Sequence, residues 1–260
     1  MATYPIYQVD AFTSKLFGGN PAAICPLDIW LPDETMQKLA TENNLSETAF
    51  FVYEGNRYHI RWFTPEYEID LCGHATLASA FIIFNYLDHP SDVIQFTCRS
   101  GLLEVSRKGD LIELNFPSRM PQAEEIPEAI LKCFDIKPST VLKSRDYFLV
   151  YDNEEQVSSL TPDFVYLNKV NSIGIIVTAK GNSTDFVSRF FVPNSVIGED
   201  PVTGSAHCSL IPYWAQQLGK SQLTARQLSK RQGELLCEDK GDRVTMAGNG
   251  VLYLKGEYYL

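Results

Sequence analysis

Apolar and polar positions alternate, or recur at helical spacing, along most of the 260-residue chain. Residues 5–10 alternate and predict a strand. Pro32-Asp33-Glu34 opens a short helix with Met36, Leu39 and Ala40 at helical spacing, ending at Asn43-Asn44. Residues 50–53 and 58–63 predict a hairpin around Glu54-Gly55-Asn56. Residues 75–87 are apolar nearly all round, which predicts a buried helix rather than a surface one. Residues 93–98, 102–107 and 111–116 predict a meander with turns at Ser100-Gly101 and Gly109-Asp110. Pro117-Ser118-Arg119-Met120-Pro121 is the linker candidate. Beyond it the pattern restarts, with a helix at 128–134, a strand at 147–151 and a helix capped by Thr161-Pro162-Asp163. Strands at 173–178 and 185–192 lead into a second core helix that runs to Leu218 and stops at Gly219. Closing strands follow at 232–237, 243–246 and 251–255. Strands wrapped around one apolar helix, twice over, give an α+β fold. The expected division is an N-terminal half, 1–118, and a C-terminal half, 119–260, with the final strand free to pack back on the first half.

The two core helices are entered in similar ways. Arg61-Trp62-Phe63-Thr64-Pro65 precedes Asp70-Leu71-Cys72-Gly73-His74-Ala75, and Arg189-Phe190-Phe191-Val192-Pro193 precedes Asp200-Pro201-Val202-Thr203-Gly204-Ser205-Ala206. This degenerate repeat, with Asp70 set against Asp200, implies two pseudo-symmetric halves. Each helix start offers free backbone N–H groups and the positive end of a helix dipole, a setting that attracts a carboxylate or phosphate. The expectation is that both helix starts address one cleft, the candidate active site.

Composition narrows the classes. Of the chain, 45% is hydrophobic and 21% charged, which is ordinary for a globular protein. The net charge of −10 comes without any basic stripe, so nucleic acid is disfavoured as a partner. No apolar run reaches the ~20 residues of a membrane span. The first residues, Met1-Ala2-Thr3-Tyr4-Pro5, do not read as a signal peptide, and the expected location is the cytoplasm. Cys25, Cys72, Cys98, Cys133, Cys208 and Cys237 form no CxxC pair and have no His at ligand spacing, so free thiols are expected and no metal site.

Glu47 sits between a helix end and an apolar strand. It reads as a capping or solvated residue or, pointed into an apolar cleft, as a carboxyl whose pKa is raised toward neutrality for acid–base work. Asn20, in Gly19-Asn20-Pro21, is a turn residue or a polar wall of the cleft. His74 reads as a helix-start residue satisfied by its neighbours or as a participant, His207 as a packed residue one turn into its helix, and Asp200 as a possible helix cap.

Asp10-Ala11-Phe12-Thr13, Gly19-Asn20-Pro21-Ala22-Ala23, Asn44-Leu45-Ser46-Glu47-Thr48-Ala49-Phe50, the two helix entries, and the tail Ala225-Arg226-Gln227-Leu228-Ser229 with Arg231-Gln232-Gly233-Glu234 occur in order over almost the whole chain. In this the chain resembles the phenazine-biosynthesis PhzF-like isomerases. The resemblance implies a diaminopimelate-epimerase-like fold of two curled, mostly antiparallel sheets around central helices, often paired as homodimers. It implies an isomerase that uses no cofactor or metal, in which a glutamate moves a proton between carbons of a dihydro-hydroxyanthranilate. That glutamate maps onto Glu47. The supporting residues map onto His74, Asp200 and Ser205, and carboxylate binding onto the backbone at Gly73-His74 and Gly204-Ser205. Related epimerases of this fold use one cysteine at each repeat loop. Here the first loop has Cys72-Gly73 and the second Thr203-Gly204. A hydroxyl is too weak an acid to replace the second thiol, so Cys72 reads as structural or as a cleft wall. Three readings stand: a cofactor-independent isomerase of a small carboxylated metabolite, an amino-acid epimerase or racemase, and a non-catalytic small-molecule-binding protein.

Overall fold

A computed structural model describes all residues, Met1–Leu260. The chain divides into two compact units: Met1–Phe116 with Met246–Leu260, and Pro117–Thr245.

The first unit opens with β1 (Thr3–Ala11) and β2 (Asn20–Leu27), an antiparallel pair. Helix α1 (Asp33–Asn43) follows, and Asn44 ends it in the left-handed conformation with its N–H returned to the Ala40 carbonyl. The hairpin of β3 (Glu47–Tyr53) and β4 (Tyr58–Phe63) comes next. β3 runs parallel to β2. β5 (Glu68–Ile69) leads into α2 (Gly73–Tyr86). As its all-round apolarity requires, α2 is buried from Gly73 through Ala80. β6 (Val93–Cys98), β7 (Gly101–Lys108) and β8 (Leu111–Pro117) form the meander.

The second unit carries β9 (Gln122–Ala123), α3 (Glu128–Cys133), β10 (Thr140–Lys143), β11 (Tyr147–Val150), α4 (Glu154–Ser159), α5 (Phe164–Leu167), β12 (Ile175–Lys180), β13 (Phe186–Phe191), β14 (Glu199–Asp200), α6 (Gly204–Leu218), β15 (Gln222–Gln227), β16 (Gly233–Asp239) and β17 (Arg243–Gly248). Gly219 stops α6 at φ 65°, with its N–H on the Ala215 carbonyl. β18 (Gly250–Tyr259) returns to the first unit and pairs antiparallel with β1 along its length.

The halves repeat each other strand for strand. In both, a parallel pair (β2·β3, β11·β12) is followed by a hairpin (β3·β4, β12·β13). A two-residue strand then pairs with the hairpin (β5, β14), and a buried helix follows. The chain next adds a strand parallel to the hairpin's second strand (β4·β6, β13·β15). Register fixes the equivalences. Phe63 faces Glu68 and Trp62 faces Ile69, while Phe191 faces Glu199 and Phe190 faces Asp200. The counterpart of Asp200 is therefore Ile69, and Asp70 falls against Pro201, which corrects the alignment read from sequence. Scaffold bonds agree with the register. Arg61 grips Glu68 with two bonds of 2.8 Å, and Arg189 grips Glu199 with bonds of 2.7 and 3.0 Å. Ser100 donates to the Asp70 carbonyl at 3.0 Å, and Ser229 to the Pro201 carbonyl at 2.8 Å.

Candidate active site

In the first unit, three elements bring Glu47, His74 and Asn20 together. Glu47 is the first residue of β3, beside Ala22 in the parallel pair with β2. Asn20 is the first residue of β2 and is fully buried. The turn before Asn20 needs a glycine, because Gly19 has φ 60° and a Cβ there would lie 2.1 Å from the Ala11 carbonyl oxygen. His74 is the second residue of α2 and is also buried.

Its Nε2 lies 3.2 Å from Glu47 Oε2. Its Nδ1 lies 3.1 Å from Asn20 Nδ2, with Cys72 Sγ at 3.5 Å on the same nitrogen. An amide NH₂ only donates, so Nδ1 accepts and the ring hydrogen sits on Nε2, toward the carboxylate. Burial pushes His74 down to about 3. The contact with Glu47 has the length of an ion pair, yet at neutral pH it joins a carboxylate to a neutral imidazole. Such a pair can hold a carboxylate in place and support it through protonation and deprotonation.

Glu47, Cys72 and His74 offer oxygen, sulfur and nitrogen donors within 4.8 Å of one another. A cation held there would compete with the Asn20 contact on one imidazole nitrogen and the Glu47 contact on the other. The arrangement therefore favours acid–base work over metal ligation.

The second unit holds the remaining expected residues in two clusters. Asp200 is nearly buried, and its Oδ2 accepts the Thr203 hydroxyl at 2.5 Å. It does not cap α6. Thr203 occupies the cap position, and no side chain caps either α6 or α2, where Cys72 stands. Gly73 and Gly204 thus open helices whose first N–H groups no capping side chain takes. Ser205 accepts from Arg145 at 2.9 Å, and the same guanidinium holds the buried Asp146 at 2.8 Å.

His207 is packed one turn into α6. Its Nδ1 lies 2.9 Å from the Thr203 carbonyl, and burial pushes it down to about 4. Sequence reasoning gave no role to Arg145 or Gln227. Gln227 had a signal, its place in the tail motif, whereas the Arg145-Asp146 dipeptide had none.

Register shows where the halves part. Thr48 faces Phe63 as Ile175 faces Phe191, so the counterpart of Glu47 is Gly174. A Cβ at Gly174 would lie 2.0 Å from Phe190 Cζ, so that position has no room for a side chain. Counting back from the parallel pairs, Asn20 matches Ser144. Counting on from β5 and β14, Cys72 matches Thr203 and His74 matches Ser205. One half thus has a carboxylate beside a neutral imidazole, and the other has neither at the equivalent positions.

A family model described as phenazine biosynthesis-like protein (PhzC-PhzF) matches residues 9–256. An uncharacterized isomerase of Pseudomonas aeruginosa is 50% identical over 255 residues, covering 98% of each chain. The crystal structure of a phenazine biosynthesis protein of the PhzF family from Enterococcus faecalis superposes with a TM-score of 0.96 at 49% identity, covering 100% of both chains. A hydroxyproline epimerase from Agrobacterium vitis shares the fold, with a TM-score of 0.64 at 8% identity over 98% of this chain and 92% of that one.

Proposed function

The chain belongs to the phenazine biosynthesis-like PhzC-PhzF family, an isomerase family, and from that premise we propose that Glu47 is the general acid/base of a cofactor-independent isomerase acting on a small carboxylated metabolite. The observation that carries this reading is the single carboxylate. Glu47 lies 3.2 Å from a neutral His74, and its counterpart is a glycine with no room for a side chain.

In this reading Glu47 removes a proton from a carbon next to a carboxylate or a conjugated system. His74, held by Asn20, keeps its Nε2–H on the carboxylate while the charge passes to the substrate. The uncapped N–H groups at Gly73 and His74 stabilise the developing negative charge. Glu47 then returns the proton to a different carbon, which moves the double bonds. Asp200, Ser205 and the backbone at Gly204 bind the substrate. Paired-thiol epimerisation is disfavoured because the counterpart of Cys72 is Thr203, whose hydroxyl is a far weaker acid than a thiol.

We carry over from the resemblance a homodimer in the cytoplasm. No helix is long and apolar enough to cross a membrane. The test of the reading is proton exchange in D₂O with dihydro-hydroxyanthranilate, comparing the wild type with Glu47→Gln. Label entering with a shifted double bond, and only in the wild type, supports it. Equal labelling by both proteins removes Glu47 from the role.

A further inference from the structure

We propose that Thr203 and Gln227 are positioning residues that hold the Asp200 carboxylate as a hydrogen-bond acceptor for the substrate; this rests on the reading of Asp200 as a substrate-binding group.

The donors and acceptors leave little freedom. Gln227, the last residue of β15, is fully buried. Its Oε1 accepts the Thr203 backbone N–H at 2.9 Å. Its NH₂ must then face the other way, and it donates to the Asp200 carbonyl at 2.8 Å and to Thr203 Oγ1 at 3.2 Å. An amide NH₂ cannot accept, so the Thr203 hydroxyl receives that bond and sends its own hydrogen to Asp200 Oδ2 at 2.5 Å. This last bond is charge-assisted and reinforced by the donor behind it. Two residues further on, Ser229 pins the Pro201 carbonyl. The loop between β14 and α6 is thus stapled at Asp200, Pro201 and Thr203 from the end of β15 and the residues after it.

The repeat separates scaffold from specialisation. The Arg–Glu grip and the serine-to-carbonyl staple occur in both halves, so the fold uses them twice. The relay occurs in one. β6 and β15 align through Tyr58–Phe96 and Phe186–Ala225, so the counterparts of Asp200, Thr203 and Gln227 are Ile69, Cys72 and Cys98. Cys98 instead donates to the Gly101 carbonyl at 3.3 Å. The first half enters its helix without the relay, so the relay is not a requirement of the fold. A consequence follows for Thr203 itself. Its hydrogen is committed to Asp200, so at the position equivalent to Cys72 it acts through a carboxylate and does not serve as an acid toward substrate.

The test uses Thr203→Val, which removes the hydroxyl at nearly constant volume, with Thr203→Ser as the conservative variant, each alone and in an Asp200→Asn background. Urea titration verifies that every variant is folded. Loss of one charge-assisted bond lowers kcat/KM by about 10- to 100-fold in Thr203→Val, mainly through KM. Thr203→Ser restores it to within about threefold of wild type, and Thr203→Val costs nothing further in the Asp200→Asn background. Independently of turnover, the ¹³C carboxyl resonance of Asp200 at pH 7 moves in Thr203→Val and returns in Thr203→Ser. If the wild type turns over no offered substrate, the functional reading fails while this resonance still decides the relay. The proposal is overturned by an unmoved resonance, or by a loss of activity as large in the Asp200→Asn background as in the wild type.

Discussion

Replacing Asn20 with leucine tests the acid–base pair through its one-sided support. Asn20 Nδ2 donates to His74 Nδ1 at 3.1 Å, and both residues are buried. Leucine has about the same volume and no donor, so Nδ1 becomes a buried acceptor with its amide partner gone. A group left in that state costs about 1–3 kcal/mol, which is the expected fall in unfolding free energy by urea titration. The same substitution frees the tautomer. Part of the population then carries its hydrogen on Nδ1, and the Nε2 lone pair faces the Glu47 carboxylate across 3.2 Å. If the full cost falls on the working arrangement, kcat drops about 5- to 150-fold. The assays are isomerase turnover and ¹⁵N NMR of the His74 ring, which distinguishes the tautomers directly. In the wild type the hydrogen belongs on Nε2; in Asn20→Leu the Nδ1–H form appears. An Asn20→Leu protein that keeps the Nε2–H tautomer together with wild-type kcat would refute the reasoning, because the amide would then not be what sets the imidazole.

Two further substitutions probe the fold around the site. A Cβ at Gly174 would meet the Phe190 ring at 2.0 Å, so Gly174→Ala is expected to destabilise the protein by about 1–3 kcal/mol in urea; an unchanged midpoint would show that the ring moves aside freely. Burial lowers His207 from 6.5 to about 4, so between those values the unfolded chain binds more protons than the folded one. The stability this His contributes is fully present above pH 6.5 and is lost as pH falls toward 4. His207→Gln, which retains a donor for the Thr203 carbonyl, is therefore expected to flatten the decline in urea midpoint between pH 7 and pH 5; an equally steep decline would assign the loss to other groups.

The periodic elements were legible because each carried its own signal. The all-round apolarity of α2, the Gly219 stop of α6 and the hairpin at Glu54-Gly55-Asn56 all lie where the pattern put them. Two strands were missed. β15 reads Gln-Leu-Thr-Ala-Arg-Gln, and its inward positions are Leu223, Ala225 and Gln227, too weak an alternation to mark a strand. β10 is only four residues long. The repeat was visible but misaligned by one position. Three residues separate Pro65 from Glu68 and six separate Pro193 from Glu199, and matching the two aspartates absorbed that difference wrongly. Only the strand register, Phe63 with Glu68 and Phe191 with Glu199, sets it right.

The site itself was partly legible. Glu47 and His74 stood out in the motifs, but the contact between them depends on β3 and α2 meeting in space. Asn20 was read as a turn residue or a cleft wall. Its role as a fully buried partner of His74 spans 54 positions of sequence, which no local pattern reports. The network of Asp200, Thr203 and Gln227 was hidden for the same reason, since Gln227 reaches back 24 positions to Thr203.

The most direct test of the central claim is deuterium incorporation followed by NMR. Wild-type protein and Glu47→Gln would each be incubated in D₂O with dihydro-hydroxyanthranilate, with diaminopimelate and a panel of amino acids as alternatives. Glutamine keeps the shape of Glu47 and removes its ability to take a proton. One carboxylate acting alone is expected to give label in the dihydro-hydroxyanthranilate with a shifted double bond, abolished in Glu47→Gln. Undiminished label in the variant, or label at an amino-acid α-carbon instead, would contradict it.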